Sequence, residues 1–137
     1  ESRRFSGKYV MNISDLREAR RFPDVVVHKA QFVVDIHNPV GGGQANGIAE
    51  YVDAYDIPWR SLVPQKMENL ILAGRCISGT HEAMASYRVM AIAMAIGEAA
   101  GIGAALAIDH DVTPENLDVK YIQKALMDKG AVLFDEK

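Results

Sequence analysis

The chain has 137 residues, 49% of them hydrophobic and 24% charged, which is an ordinary balance for one globular domain with its own core. Its net charge of -3 argues against a nucleic-acid surface, because phosphate binding needs clustered Lys and Arg. The single cysteine excludes an intramolecular disulfide and a cysteine-only zinc site.

The first predicted element is a short helix over residues 15–22. Ser14 is placed to cap it, Asp15 lies at the positive end of the helix dipole, and Pro23 bounds it. The remainder of residues 1–60 is predicted to be mainly β. Three stretches rich in β-branched and aromatic residues predict strands, at 25–28, 31–37 and 48–62. A glycine-rich loop at 38–47 separates the last two.

The second half follows a different pattern. The apolar run 69–73 predicts a buried strand, and 87–108 predicts a long helix rich in alanine and glycine. A last helix is predicted over 114–129. Thr113 is its expected cap and Gly130 its expected stop.

The long predicted helix meets the length requirement for crossing a membrane. Glu98 near its centre argues against this, because such a charge costs roughly 2.5 to 3.5 kcal/mol on insertion scales. Small residues also recur at every fourth position in two rows, which are Ala93, Gly97, Gly101, Ala105 and Ala91, Ala95, Ala99, Gly103, Ala107. Such rows allow close approach to another backbone or to a ligand. We therefore expect a helix buried on nearly all sides, with no transmembrane or signal segment, and the compartment stays open.

Polar residues connect the predicted strand to this helix in the stretch AGRCISGTHEAMASYRVM, residues 73–90. The free amides and the positive end of the helix dipole point back at the strand end. Such a helix start suits an anionic ligand group, and strand ends are where ligands of α/β sheets bind. The connection is therefore predicted to face a bound cofactor.

Residues 56–108, from DIPWRSLVPQ to GIGAALAI, resemble a segment of the FAD-dependent oxidoreductases. ESRRFSGKYVMNISDL at the start and the later VVDIH resemble the same family, so the resemblance covers nearly the whole chain. The family's fold is similar to that of the fumarate reductase and aspartate oxidase flavoproteins, with a Rossmann-like FAD domain that a substrate domain interrupts. The resemblance implies an α/β fold, or α+β for an isolated fragment. Residues 1–60 would be the tail of the substrate domain and 61–137 the C-terminal part of the FAD-binding domain.

One departure from the family is large. The G-x-G-x-x-G turn that carries the ADP half of FAD is absent, since GGGQANG lacks the spacing and GIGAAL lies inside a predicted helix. The chain therefore resembles the C-terminal portion of the family and is expected to be a fragment that does not retain FAD alone. Its expected partners are the missing N-terminal FAD-binding portion, a small-molecule substrate, and further copies of itself, because apolar patches seek partners. Nucleic acid and membrane are not expected partners.

The resemblance also implies site residues. The cofactor contacts would be Ala73, Gly74, Arg75, Ser86, Val89 and Met90. The substrate-binding residues would be Arg3 and Arg4, and Arg88 would be catalytic. His37 and His81 are catalytic candidates by residue type, because a histidine titrates near neutral pH and is suited to proton transfer. Reduced flavin carries negative charge, which a helix start at Val89 would stabilise.

Each candidate has an ordinary structural alternative. Arg88 either clamps a substrate carboxylate or forms a salt bridge with Glu82 or Glu98. His81 either transfers protons or is a hydrogen-bonded loop residue. Two side chains, His37 and Asp35 on one strand face, are too few for a metal site. The remaining sulfur-bearing side chains of the connection and helix are predicted to be buried or to pack: Cys76, Met84, Met90 and Met94.

Three functions are therefore weighed. The leading one is the C-terminal portion of an FAD-dependent oxidoreductase that moves a hydride between flavin N5 and a small organic substrate. The second is a non-catalytic packing or oligomerisation module of a larger protein. The third is membrane association through the long helix.

Overall fold

The computed structural model describes residues 4–38, 40–43 and 49–135. Four α-helices and two β-strands form along this part of the chain, in the order α1 (Ile13–Arg17), β1 (Val25–Ala30), β2 (Tyr55–Pro58), α2 (His81–Tyr87), α3 (Met90–Asp109) and α4 (Val119–Asp128). Two short 3-10 helices accompany them, at Trp59–Ser61 and Gly74–Cys76.

The sheet consists of β1 and β2, which pair antiparallel with Val27 opposite Ile57 and Ala30 opposite Tyr55. Helices and this small sheet together give a mixed architecture, which confirms the α+β expectation. The predicted strand at 25–28 is confirmed by β1. Of the predicted strands at 31–37 and 48–62, the first forms only isolated bridges such as Val34 to Glu50, and the second contains β2.

No strand forms over 69–73, where the sequence predicts one. Ala73 is extended, with φ -138 and ψ 154, and the Leu72 amide donates to the Leu62 carbonyl at 2.7 Å. A strand needs a continuous ladder with a neighbour, and none of the described residues supplies one here. The predicted loop at 38–47 is described only at 38 and 40–43, where the chain bends.

Helix α1 begins earlier than predicted because its cap is Asn12 and not Ser14. The Asn12 side chain accepts from the Ser14 and Asp15 amides, and the Asp15 carboxylate accepts from the Asn12 amide at 2.9 Å. This reciprocal capping box satisfies amides that a helix start otherwise leaves unpaired. The helix also ends earlier, at Arg17, and Ala19 follows with a left-handed φ of 47°.

The predicted helix over 87–108 is confirmed as α3, which begins three residues later, and a short helix that was not predicted, α2, precedes it. They are separated at Arg88 and Val89, and Val89 is extended with ψ 154°. The last helix starts later than predicted, at Val119, because Asp118 and not Thr113 caps it by accepting from the Lys120 amide at 3.0 Å. Its predicted stop is confirmed, since Gly130 follows the helix with φ 96°.

One contact determines how closely α3 packs on the rest of the fold. A Cβ added at Gly103 would lie only 2.3 Å from Cη2 of Trp59, so a glycine is required where the indole crosses the helix. The indole nitrogen of Trp59 donates to the Pro114 carbonyl at 3.1 Å, which fixes the ring in place. The buried face of α3 consists of Ile92, Ile96, Ala99, Ala100, Gly103 and Ala107.

The N-terminal segment is held by residues far along the chain. The Met11 amide donates to the Ser78 carbonyl at 3.0 Å, and the Thr80 amide donates to the Met11 carbonyl at 2.8 Å. The Gly7 amide donates to Ser78 Oγ at 2.8 Å. These bonds position residues 77–80, which lead into α2.

We predict that Gly103→Ala lowers the free energy of unfolding by about 1 to 3 kcal/mol, because the added methyl group must displace the Trp59 ring. Gly101→Ala on the same helix is the matched control. An added Cβ at Gly101 meets nothing within 4 Å, so this variant should be neutral or gain up to about 1 kcal/mol from helix propensity. Urea unfolding of both variants measures the difference, and equal stabilities would contradict the packing described here.

Candidate functional site

Two of the predicted cofactor residues, Ala73 and Gly74, lie beside the N-terminal end of α3, where Val89 and Met90 are also located. Gly74 has φ 63°, a backbone conformation that residues other than glycine rarely adopt. A Cβ at Gly74 would lie 3.9 Å from the Ala93 Cβ, so the Gly74–Cys76 turn lies against the first turn of α3. The structure therefore places Ala73 and Gly74 next to the helix that begins after Val89.

The start of α3 has no side-chain cap. Val89 is its N-cap residue and offers no side-chain acceptor, and the first intrahelical bond runs from the Ala93 amide to the Val89 carbonyl at 2.9 Å. The amides of the first turn therefore have no acceptor from the helix itself, and the positive end of the helix dipole is concentrated there. Met90, the first residue of the helix, is 83% exposed.

The face of α3 opposite the Trp59 contact is apolar and open. Only 33% of its most apolar stretch is buried, so the expectation of a helix covered on nearly all sides is wrong for the described structure. A Cβ added at Gly97 would meet nothing within 4 Å, as at Gly101. By length and composition alone this helix is able to cross a membrane. The same property fits a helix whose second partner is another polypeptide or a ligand.

The sulfur-bearing residues of this region differ from the prediction. Met84 packs partly against the core as expected, whereas Met90 and Met94 are exposed on the open face of α3. Cys76 is exposed rather than buried, and its thiol donates to the Ala73 carbonyl at 3.1 Å. Packing against the described core therefore accounts for only one of these four side chains.

Further along the same helix, the open face borders a groove. The groove has a volume of about 670 Å³ and lies between the C-terminal half of α3 and the segments around Ile71 and Val112. Ala104 and Ile108 line it from the helix side. The open face of α3 is therefore concave near its end and mostly apolar, with the exposed Glu98 near its middle.

Arg88 and His37 meet at Asp35. Arg88 is the C-cap residue of α2, and its Nη2 donates to the Asp35 carbonyl at 3.0 Å and to Asp35 Oδ2 at 3.4 Å. His37 Nε2 lies 3.1 Å from the same Oδ2. Arg88 therefore forms a salt bridge, but its partner is Asp35 and not Glu82 or Glu98 as expected. The cluster is open to solvent, with the His37 side chain 68% exposed.

The other predicted site residues lie apart from this cluster. His81 is the first residue of α2, about 10 Å along the axis from Arg88 at the usual rise per residue. Arg4 and Arg75 line a separate small cavity, and Arg3 lies outside the described residues. Arg75 is exposed on the Gly74–Cys76 turn.

Ser86 points into the interior and not towards the open face. Its hydroxyl donates to the Phe32 carbonyl at 2.6 Å and forms a 2.8 Å hydrogen bond with the Tyr55 hydroxyl. Ser86 is fully buried, so in this structure its side chain joins α2 to β2. A contact between Ser86 and a cofactor stays a prediction.

A second Asp–His–Arg arrangement, whose aspartate and histidine are buried, was not predicted from the sequence. Asp56 on β2 is 2% exposed and accepts from Arg21 Nη1 at 3.1 Å, while His28 Nδ1 lies 2.8 Å from the same carboxylate. The His28 side chain is 3% exposed. His28 ends the apolar run VVVH of the predicted strand, but no sequence pattern identified Asp56 as its partner.

Comparison with known families gives one finding. A family model described as FAD dependent oxidoreductase matches residues 1–126. Neither the curated proteins nor the solved structures contain a significant match to the chain.

We predict that Tyr55 keeps its proton to a higher pH than an exposed tyrosine does. Burial raises its pKa to about 12, and the bond with Ser86 opposes that shift only in part. Since the folded pKa lies above the usual value of 10, the contribution of Tyr55 to stability is complete below pH 10 and is lost as the pH rises from 10 to 12.

Tyr55→Phe tests this expectation. At pH 8 the variant should be less stable by about 1 kcal/mol, because one buried hydrogen bond is removed. At pH 11 the difference in unfolding free energy should shrink. Tyr51→Phe is the control, since Tyr51 is exposed. A constant difference between pH 8 and pH 11 would refute the assignment.

Proposed function

The chain belongs to the FAD dependent oxidoreductase family, and from this premise we propose that it is the C-terminal portion of an enzyme that transfers a hydride between flavin and a small organic substrate. The family assigns it an oxidoreductase function that uses FAD. The complete protein would have a Rossmann-like FAD-binding domain. Its G-x-G-x-x-G turn, absent from this sequence, would come from an N-terminal portion that is the chain's main partner.

The observation that carries this proposal is the position of Gly74 against the first turn of α3. A left-handed glycine beside an uncapped helix start lets a ligand approach two stretches of backbone at once. Further along the helix, no atom of the described residues lies within 4 Å of a Cβ added at Gly97 or Gly101. These residues fit a large flat cofactor better than a second helix with bulky side chains.

The residues of this chain would hold FAD through backbone groups. Ala73 and Gly74 would lie along its ribityl and pyrophosphate part, and the amides of Val89 and Met90 would face the pyrimidine edge of the flavin. FAD supplies the hydride acceptor or donor of the reaction when it is bound. The amides at the helix start stabilise negative charge at that edge, because they are fixed donors that need no reorganisation.

Arg88 would position the substrate, and His37 would move its proton. Both bonds from Arg88 to Asp35 come from Nη2, which leaves the Nε and Nη1 donors to bind a substrate carboxylate. Asp35 orients the His37 ring through Nε2, and the ring is open to solvent. His81 is kept as a second candidate for proton transfer at the other end of α2.

A second function, a non-catalytic packing module, is favoured by one observation. Met90, Met94 and Ile108 expose apolar side chains along a single helix. Another protein or further copies of this chain would cover them. Membrane association through α3 stays a third function, since its length and composition permit it. Bound flavin separates the first function from the other two.

We predict flavin absorbance in the protein that joins this chain to its N-terminal FAD-binding portion. Gly74→Val should abolish it, because valine does not tolerate φ 63° beside the helix start. Gly130→Val is the matched control, since Gly130 also has a positive φ, of 96°, but follows α4. The visible spectrum of each purified variant is the measurement.

The control separates cofactor loss from simple destabilisation. Both variants strain the backbone, so only a loss of flavin specific to Gly74→Val supports the proposed site. Arg88→Ala should keep the flavin and lower turnover, because Arg88 is assigned to the substrate. A colourless parent protein that also fails to take up added FAD would rule out the proposed function.

A further inference from the structure

Arg4 and Arg75 line one cavity although they are 71 positions apart in sequence. The cavity has a volume of about 190 Å³ and lies between the N-terminal segment, the Gly74–Cys76 turn and α2. Its apolar walls are Phe5, Ile77, Met84 and Tyr87. The described residues that line it include no carboxylate.

The floor of the cavity is built by tight packing. A Cβ added at Gly79 would lie 2.3 Å from the Tyr87 hydroxyl, so only glycine fits there. The Tyr87 hydroxyl donates to the Ile77 carbonyl at 3.3 Å. The Met11 amide binds the Ser78 carbonyl and brings the N-terminal segment alongside. These contacts fix the walls independently of any ligand.

The chemistry of the cavity favours a small organic anion. A guanidinium group presents planar donors that match a carboxylate, and two such residues share this cavity. Among the described residues, no hydrogen bond or ion pair engages the Arg75 side chain. Pockets for drug-sized ligands have volumes of about 300 to 1,000 Å³, so this smaller one suits a single ring or a short aliphatic chain.

We propose that the Arg4–Arg75 cavity binds a small carboxylate with an apolar body. This inference goes beyond the proposed function, because it assigns a second carboxylate site, apart from Arg88 and His37, where the substrate of the oxidoreductase was proposed to bind. It also changes the expectation for Arg75. The resemblance counts Arg75 among the cofactor contacts, whereas the cavity places Arg75 beside Arg4 and the apolar side chains.

Benzoate is the probe, and it is titrated into the 137-residue chain while the amide resonances of Ile77 and Gly79 are followed by NMR. Benzamide is the uncharged analogue and inorganic pyrophosphate the phosphate source. Arg4→Gln and Arg75→Gln each remove one cation from the exposed rim. Lys120→Gln, on α4 and outside the cavity lining, is the control with the same change of charge.

We expect saturable shifts with benzoate, weaker binding of benzamide, and an affinity for benzoate that falls about tenfold in each arginine variant. Lys120→Gln should bind as the original chain does. Binding that is equal in all variants, or no shift at Ile77 and Gly79, would overturn the inference. Saturation by pyrophosphate without saturation by benzoate would also overturn it, in favour of the dinucleotide.

The two proposals fail separately. If the parent protein holds flavin but this chain does not bind benzoate, the carboxylate cavity is refuted and the oxidoreductase function stands. If benzoate binds through both arginines while the parent is colourless, the cavity is supported as an anion site and the flavin function fails.

Discussion

The crossing of Trp59 over Gly103 determines where α3 lies, and the candidate site depends on that position. A single added methyl group would have to occupy space that the indole fills. Because α3 is a continuous helix of 20 residues, fixing it at Gly103 also fixes its first turn beside Gly74. The same crossing turns the opposite side of the helix, with Gly97 and Gly101, away from the core. One steric constraint therefore produces both the packed and the open face.

The chain has two Asp–His–Arg clusters, and their burial separates a cluster that stabilises the fold from one that is accessible to a ligand. His28, Asp56 and Arg21 stabilise the region where β1 meets β2, and the histidine and aspartate there are removed from solvent. His37, Asp35 and Arg88 have the same residue types, but the histidine faces solvent. Breaking a buried pair leaves an uncompensated charge, whereas an open cluster exchanges partners easily. Of these two clusters, the open one leaves its histidine accessible, as a substrate would require.

The sequence predicted the elements whose signals are local. Gly130 as the end of the last helix and the strand at 25–28 follow from residue preferences within a few positions. The break between α2 and α3 was not predictable, since neither Arg88 nor Val89 disfavours a helix enough to signal it. The cap at Asn12 depends on a reciprocal bond from Asp15, which competed with an equally reasonable cap at Ser14. The strand expected at 69–73 needed a neighbour that apolar composition does not reveal.

For the site, sequence pattern identified residue types better than it identified pairings. It selected Gly74, Arg88 and His37, and it placed Asp35 beside His37. It did not bring Arg88 to Asp35, because the two are 53 positions apart. The cavity shared by Arg4 and Arg75 depends equally on distant segments. The predicted roles of these residues in binding and catalysis rest on the family resemblance, and the geometry supplies the means to test them.

The pairing of Met11 with Ser78 has a consequence for how the protein folds. The bonds of residues 7–11 with residues 60–80 join segments more than 50 positions apart. Closing such a loop costs conformational entropy before any contact repays it, and contacts of this range slow folding. During synthesis, residues 7–11 therefore cannot form these bonds until residues 60–80 have left the ribosome. The order of an early segment of this fold thus depends on residues that are made much later.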